Sequence, residues 1–498
     1  MRRAFGVSWM VLIFLAASHL FAAGVDLTGI GARAQALGGN YRAVANDWSA
    51  MYWNPAGMVF TEGLTAGFSL EFLNPVVGYT AAKSLAGQQF SATSAGEVKN
   101  VPKTFLVPAG GIYYSTGQLA FGLGVWAPFG LGAKWDLLNT QKYNAAYPEY
   151  EFEDNLQIID IHPTVALKIG DKFSIGAGAS IVLANIMIRK PNFTPNPYIY
   201  NTDLTSNPLM QNFLRSTLPA DAQTSPYDHM LTDTKLEGDG TGYGANVGIM
   251  FKPTETFSIG LEAKFYTKAP LTGTVNATTY FAAYPDANAA VQPVSKLVFK
   301  GMLNRGEISE EEFAVLTNYY SGGTNVMASD LKLKTDLPLP KRVGIGIAFS
   351  GIQNLLVSAD VAWTDWSTWG VIDLNDENGN KFSELVENWE NGIRAGIGLE
   401  YSLSSMKVRG AYYSEPRAAI PATMTPTIPD AGRRNVLTVG VEIPMGPLAF
   451  HASYEKMFIG NLTVDQWVLT PDQTGYENMA GAYTMSVNNF MLGFDYQF

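Results

Sequence analysis

The sequence contains no cysteine, which removes disulfides, thiolate nucleophiles and Cys-ligated metals together. Charge is scarce: 15% of the 498 residues are Asp, Glu, Lys or Arg, against about a quarter in ordinary soluble domains. Basic residues are the smaller share, 33 against 44 acids; the formal charge is −11, which argues against a nucleic-acid-binding protein. Beyond the N-terminus no apolar run approaches the roughly 20 residues a spanning helix needs. Histidine is limited to His19, His162, His229 and His451, without HExxH spacing, and no G-x-S-x-G elbow or Walker loop occurs. Gly29-x-Gly31-x-x-Ala34 imitates a dinucleotide fingerprint but follows no strand. Asp373, Asn375, Glu377 and Glu384 have calcium-loop spacing, yet Asn378 stands where glycine is required, so a solvated acidic loop is expected. No enzyme, cofactor or metal site is therefore expected.

What is present is glycine (49 residues), aromatics (12%) and enough apolar residues (47%) to exclude disorder. Sparse charge with abundant glycine and aromatics is the composition of an outer-membrane β-barrel, whose strands are apolar on one face and polar on the other. The N-terminus agrees. Met1-Arg2-Arg3, an apolar run from Trp9 to Leu20 and small residues Ala22, Ala23 and Gly24 read as a secretory signal peptide, residues 1–23. Its cleavage removes two arginines and no acid, taking the charge from −11 to −13. Export places the protein in a Gram-negative envelope, as a multi-pass component of the outer membrane in contact with lipid and lipopolysaccharide.

The C-terminus shows the pattern most clearly. Phe490, Leu492, Phe494, Tyr496 and Phe498 alternate with Met491, Gly493, Asp495 and Gln497, which puts an aromatic ridge on one strand face and small or polar groups on the other. A soluble sandwich would have to cover that ridge with a second sheet. Similar runs predict fourteen strands, near 64–78, 104–115, 118–129, 156–169, 172–189, 241–252, 256–268, 339–350, 353–364, 391–402, 405–413, 434–443, 447–457 and 486–498. An even count closes an antiparallel barrel with both termini on one side. Connections alternate between tight turns, such as Gly170-Asp171 and Pro444-Met445-Gly446, and long loops, above all 190–240 and 269–338. The expected architecture is a fourteen-stranded antiparallel transmembrane β-barrel over residues 63–498.

Residues 24–62 lack a strand period and are small and helix-compatible, so they are not wall. They could hang in the periplasm, but Trp48, Tyr52 and Trp53 favour packing inside a lumen that fourteen strands leave roomy. Lumen-facing charges (Glu262, Lys264, Arg342, Asp360, Arg394, Glu400, Lys407, Arg409, Glu442, His451 and Glu455) are expected to form an ion-pair lattice bracing the wall.

The segment Gly31-Ala32-Arg33-Ala34 to Leu37-Gly38-Gly39, with Asn46-Asp47 and Asn54-Pro55-Ala56, resembles the N-terminal hatch of the FadL/TodX (OmpP1) family. Phe121 to Leu131, Gly238 to Asn246, Leu339 to Gly344 and Thr364 to Ser367 resemble further parts of that family in the same order. The resemblance implies a barrel with a partly helical hatch, marked here by Asn54, Pro55 and Ala56, that passes hydrophobic molecules passively and performs no bond chemistry. Long-chain fatty acids are the expected cargo and aromatic hydrocarbons the alternative; a water-filled porin for polar solutes and an outer-membrane phospholipase are readings from other classes. A monomer is expected.

Two loops look equipped for capture. Leu209, Phe213 and Leu214 lie in one, at near-helical spacing; Phe313, Leu316 and Tyr319 lie in the other, behind a Ser309/Glu312 capping box. Facing each other they would make a groove for an alkyl chain, or they simply fold the loops together. In the third strand Gly122 and Gly124 face the lumen, while Pro128, Phe129 and Gly130 sit where the ladder can break. Alone these residues fit an ordinary strand-to-loop transition; the resemblance implies a kink that opens the wall sideways. Arg189 and Lys190 are the candidates for holding a carboxylate head group.

Overall fold

The computed structural model describes residues 26–27, 29–82, 96–137, 141, 147–195, 229–280, 292–310, 313–314, 317, 326–465 and 479–498. The expected signal peptide lies outside them. Fourteen antiparallel strands form a closed wall. They are β1 (Gly63–Ala81), β2 (Phe105–Ser115), β3 (Leu119–Trp135), β4 (Phe152–Ile169), β5 (Phe173–Pro195), β6 (His229–Thr254) and β7 (Phe257–Tyr266). The second half is β8 (Arg342–Ile352), β9 (Leu355–Thr364), β10 (Gly392–Ser402), β11 (Lys407–Glu415), β12 (Arg434–Met445), β13 (Leu448–Ile459) and β14 (Gly481–Gln497). Each pairs with its sequence neighbours, and β14 closes on β1 from Thr65↔Gln497 to Ala81↔Gly481. Closure is obligatory in hydrocarbon, where an unpaired edge would leave backbone groups without partners.

The expected strands correspond one to one with these, and the alternation behaves as expected. On β14, Phe490, Leu492 and Phe494 face outward, 40–46% exposed, while Asn489 and Met491 are fully buried. Across the seam Phe68 packs against Phe494 and Phe72 against Phe490 with tilted rings, centroids 6.1 Å apart.

The outer end of the barrel differs from expectation. β5 and β6 run on to Pro195 and from His229, well beyond residues 189 and 241. The stretch 269–338, expected as a loop, contributes two further strands, Ala269–Tyr280 and Val326–Leu337, which pair with each other and extend the sheet from β6. Their sequences, such as Val326-Met-Ala-Ser-Asp-Leu-Lys-Leu-Lys-Thr-Asp-Leu337, carry Thr, Lys and Asp where a wall strand carries Ile or Phe. The strand period is there, but neither face is a lipid face. The same stretch holds an unforeseen helix, Gln292–Asn304. The acidic loop is a hairpin, Val371–Asn375 with Lys381–Val386. Two of its carboxylates are answered by an amine from its own second strand: Lys381 Nζ lies 2.6 Å from Asp373 and also bonds Glu384. At its tip the Asn380 side chain and backbone, with the Asn378 N–H, hold Asp376 below the usual carboxylate range.

Arginine in place of the outward-facing Leu492 is expected to cost up to about 4 kcal/mol in urea titrations in lipid vesicles. A change within about 0.5 kcal/mol, as on a water-exposed surface, would mean that this face does not meet lipid.

Candidate functional site: a packed lumen and an interrupted wall

The described residues of the segment 26–62 lie inside the ring of strands, and their local folding follows from sequence. Helix α1 (Ala32–Ala36) is alanine-rich and ends where Gly38 and Gly39 take left-handed φ of 60° and 67°. Gly39 N–H bonds Ala34 C=O and Gly38 N–H bonds Gln35 C=O, both at 2.8 Å, a Schellman closure. After helix α2 (Ala50–Trp53), Asn54 accepts from Ala56 N–H at 3.2 Å and starts a 3₁₀ helix over Pro55–Phe60. The Asn54 amide also donates to Arg42 C=O at 2.9 Å and to Ile249 C=O of β6 at 3.0 Å. Asn54, Pro55 and Ala56 are thus brought together against the wall. The wall admits them because it is glycine there: a Cβ on Gly176 would stand 2.5 Å from Pro55, and one on Gly248 2.2 Å from Asn54 Oδ1.

Charge fixes the remaining contacts. Arg42, buried, reaches Asp360 at 2.5 Å and Glu262 at 3.2 Å; Lys264 joins Glu262 at 2.7 Å. Arg33 reaches Glu400 at 3.1 Å, and Arg409 lies 2.6 Å from the same carboxylate while also pairing with Glu442. Asp26 pairs with Arg342 of β8. The expected lattice therefore exists, but its central partners come from the N-terminal segment. Sequence reasoning missed Arg33, Arg42 and Asp26 as functional residues. Their signal was available: isolated charges in a segment of small and aromatic residues must find counter-charges once buried.

Along β3, Gly122 and Gly124 do face the lumen, against Met51 and Trp126. Beyond them β3 bulges, Ala127 and Pro128 standing opposite the single Ile159 of β4. Pairing with β2 runs only from Ser115↔Ala120 to Gly110↔Val125. Among the described residues no pairing joins Phe105–Ala109 of β2 to β3. The two edges meet again farther out, where Val101 N–H bonds Lys134 C=O at 2.8 Å. The wall thus contains a window, with the Gly110–Val125 rung as its sill. Pro108 and Pro128, neither with an N–H to donate, sit one on each edge.

The bulge turns β3 into the lumen. Trp126, fully buried, contacts Tyr52 at 5.6 Å and His162 at 5.0 Å; Phe129 contacts Tyr266 at 5.7 Å and Trp366 at 6.3 Å. Trp366 continues to Trp389 at 5.5 Å, which stacks on Trp369 at 4.6 Å, forming a line of aromatic faces towards the outer loops. The N-terminal segment lies against the bend. Asp26 bridges Phe129, Leu27 N–H bonds Pro128 C=O at 3.0 Å, and Leu27 is buried in the apolar cluster that also contains Val107, Ala127 and Phe129.

His162 ties these parts together. Its Nδ1 lies 3.0 Å from Ser180 Oγ and 3.4 Å from Asp160, and its Nε2 lies 2.9 Å from Asn246 Oδ1. Asn246 donates to Met51 C=O at 2.9 Å. Ser180 donates to Asp160 at 2.9 Å and is 3% exposed, so its hydroxyl is buried with its proton committed to a carboxylate.

Arg189 lies 3.3 Å from Asp233 and 4.0 Å from Glu153, so it is already matched; Lys190 follows it on β5, opposite Thr234. Phe313 is half-buried under Lys300 Nζ at 5.3 Å, and Phe313 N–H bonds Ser309 C=O at 2.9 Å as in a helical turn; Glu312 of the expected capping box lies outside the described residues. Leu209, Phe213, Leu214, Leu316 and Tyr319 lie outside the described residues. Among the described residues no cluster suits a metal ion.

Replacing Arg42 by Ala leaves Asp360 buried without its counter-charge, a loss of about 3–5 kcal/mol for such a pair. In planar bilayers the variant is expected to show open-channel events absent from the wild type; identical traces would show that this ion pair does not hold the lumen closed.

The fold is shared with known transporters. A Pseudomonas aeruginosa FadL homologue superposes with a TM-score of 0.68 at 18% identity, over 96% of this chain and 100% of that one. The P. putida toluene transporter TodX gives 0.65 at 15%, over 95% and 99%. The Ralstonia pickettii toluene transporter TbuX gives 0.59 at 17%, also over 95% and 99%. No curated protein matches the chain by sequence. The family described as outer membrane protein transport protein (OMPP1/FadL/TodX) matches residues 13–498. The chain is therefore a member of the FadL/TodX family, an outer-membrane β-barrel that transports hydrophobic compounds and is not an enzyme.

Proposed function

We propose that cargo leaves this barrel sideways, through the window between β2 and β3, and that residues 24–62 are the hatch that keeps the lumen closed. The observation behind this reading is the coincidence of three features at one place. The ladder stops at Gly110↔Val125, β3 bends inward at Pro128, and Leu27 covers the bend. An apolar solute descending the aromatic line reaches Phe129 beside the one stretch of wall where, among the described residues, no ladder bond blocks a passage to lipid. Passage needs no energy input, because apolar solutes gain about 0.8 kcal/mol per CH₂ on leaving water. The protein works as a monomer, since each barrel contains its own lumen and window.

Long-chain fatty acids are the cargo we infer, with Arg189 and Lys190 near the outer rim offering a carboxylate its counter-charge by exchange with Asp233. A second reading, aromatic hydrocarbons, is favoured by the Trp369–Trp389–Trp366–Phe129 line and by the existing pairing of Arg189. Binding of oleate and of toluene to Arg189→Gln separates them. Weakened oleate binding with unchanged toluene binding supports the first; oleate binding equal to wild type overturns it.

The gate is tested with Leu27→Cys/Pro128→Cys. These positions oppose each other in register, at the spacing of a disulfide, and no native cysteine competes. Oxidation is expected to stop cargo entry into loaded vesicles and reduction to restore it. Entry unaffected by oxidation would contradict lateral release past Leu27.

A further inference from the structure

Directly below the window the outside of the wall is not flat. On the lipid face, successive cross-strand rows descend from the sill: Gly110–Val125–Ile161–Ile181, then Ile112–Leu123–Pro163–Ala179, then Tyr114–Phe121–Val165–Ala177. The next row ends in Leu119–Leu167–Ile175. On β5 the outward positions therefore run Ile181, Ala179, Ala177, Ile175, two small side chains between two large ones. Opposite Ala179 stands Pro163, which has no long side chain either. Larger neighbours, among them Phe121 (54% exposed) and Val165 (55% exposed), rise around these positions. The result is an open groove of about 800 Å³ whose lining is almost wholly apolar.

We propose that this groove is a receiving site on the membrane side of the wall, which takes the alkyl body of cargo as it leaves the window and passes it to the periplasmic leaflet. The proposal rests on lateral release. Its occupant is argued from continuity. The groove begins one row below the sill, and Ile112 and Leu123, which form its upper wall, belong to the two strands that frame the window. It leads towards Leu64 and Tyr114, at the inner ends of β1 and β2 beside the short turn. A hydrocarbon crossing the sill meets this depression before it meets freely mobile lipid. Ordinary lipid-facing wall, such as Leu437 and Val439 of β12, offers ridges instead.

The test combines labelling with filling. A fatty acid bearing an alkyl diazirine is supplied to wild-type protein in vesicles, photolysed, and its adducts mapped by mass spectrometry. Adducts concentrated on peptides carrying Ile112–Leu123 and Pro163–Ala179 over those of β12 are expected. Ala177→Trp and Ala179→Trp fill the groove with a side chain lipid tolerates, and are expected to slow cargo entry several-fold, while Val439→Trp leaves it unchanged. Adducts spread equally over β12 and the groove, or entry at the wild-type rate in both filled variants, would overturn the groove and leave lateral release standing. Labelling of the groove by a diazirine phospholipid but not by the fatty acid would make it a site for annular lipid and overturn the proposal. Groove adducts that persist undiminished in oxidised Leu27→Cys/Pro128→Cys would show that cargo arrives from the bilayer, and there lateral release itself fails.

Discussion

A backbone N–H or C=O in hydrocarbon has no water to turn to, and each one left without a partner costs several kcal/mol. That constraint organises this protein. It demands a ring without edges, which β1 and β14 complete, and it makes any interruption of the ring a deliberate feature. The interruption between β2 and β3 is tolerated because its edges bring fewer donors, with Pro108 and Pro128, and because β3 turns inward, where Leu27 takes up the Pro128 carbonyl. The Pro128 carbonyl is thereby satisfied inside the protein rather than presented to lipid.

The same economy governs the lumen. A segment of small residues cannot hold its place by apolar area alone, and glycines on the facing wall let its backbone come close. A Cβ on Gly260 would stand 2.1 Å from Arg42 C=O, and one on Gly440 2.4 Å from Ala36. Over this fit lies a set of buried ion pairs whose members come from different parts of the chain. Such pairs are poor sources of net stability but heavily penalise any arrangement that separates them. They select one seating for the segment, and a closure that depends on seating needs that selectivity. The aromatic line from Trp369 to Phe129 meets the seating at Leu27, so the route we propose for cargo and the segment we propose closes it share an address.

Much of this was legible in the sequence. All fourteen wall strands were, because lipid on one side and lumen on the other enforce an alternation that few other environments produce. The strands beyond the wall were not: Val326–Leu337 buries Leu333, Thr335 and Leu337 on one face but carries Asp and Lys between them, and reads as a polar loop. The helix Gln292–Asn304 was hidden for the same reason, inside a stretch long enough to be taken as loop. Pro128 and Gly130 marked the disturbance in β3, but its boundaries depend on register, and the matching Pro108 on β2 passed as an ordinary wall residue. Arg33 and Arg42 were visible as lone charges in a segment of small and aromatic residues, but nothing in the sequence named Glu400 and Asp360, hundreds of positions away, as their partners. Arg189 looked free because Asp233, its partner on the adjacent strand β6, lies some forty positions away in the sequence.

The central claim is that a fixed stretch of the barrel wall lacks its ladder. Amide hydrogen exchange, read residue by residue in lipid, addresses it most directly. The account predicts fast exchange for those amides of Phe105–Ala109 and Trp126–Gly132 that point across the window, against strong protection of β7, which is paired on both sides. Uniform protection across β2, β3 and β7 would contradict it.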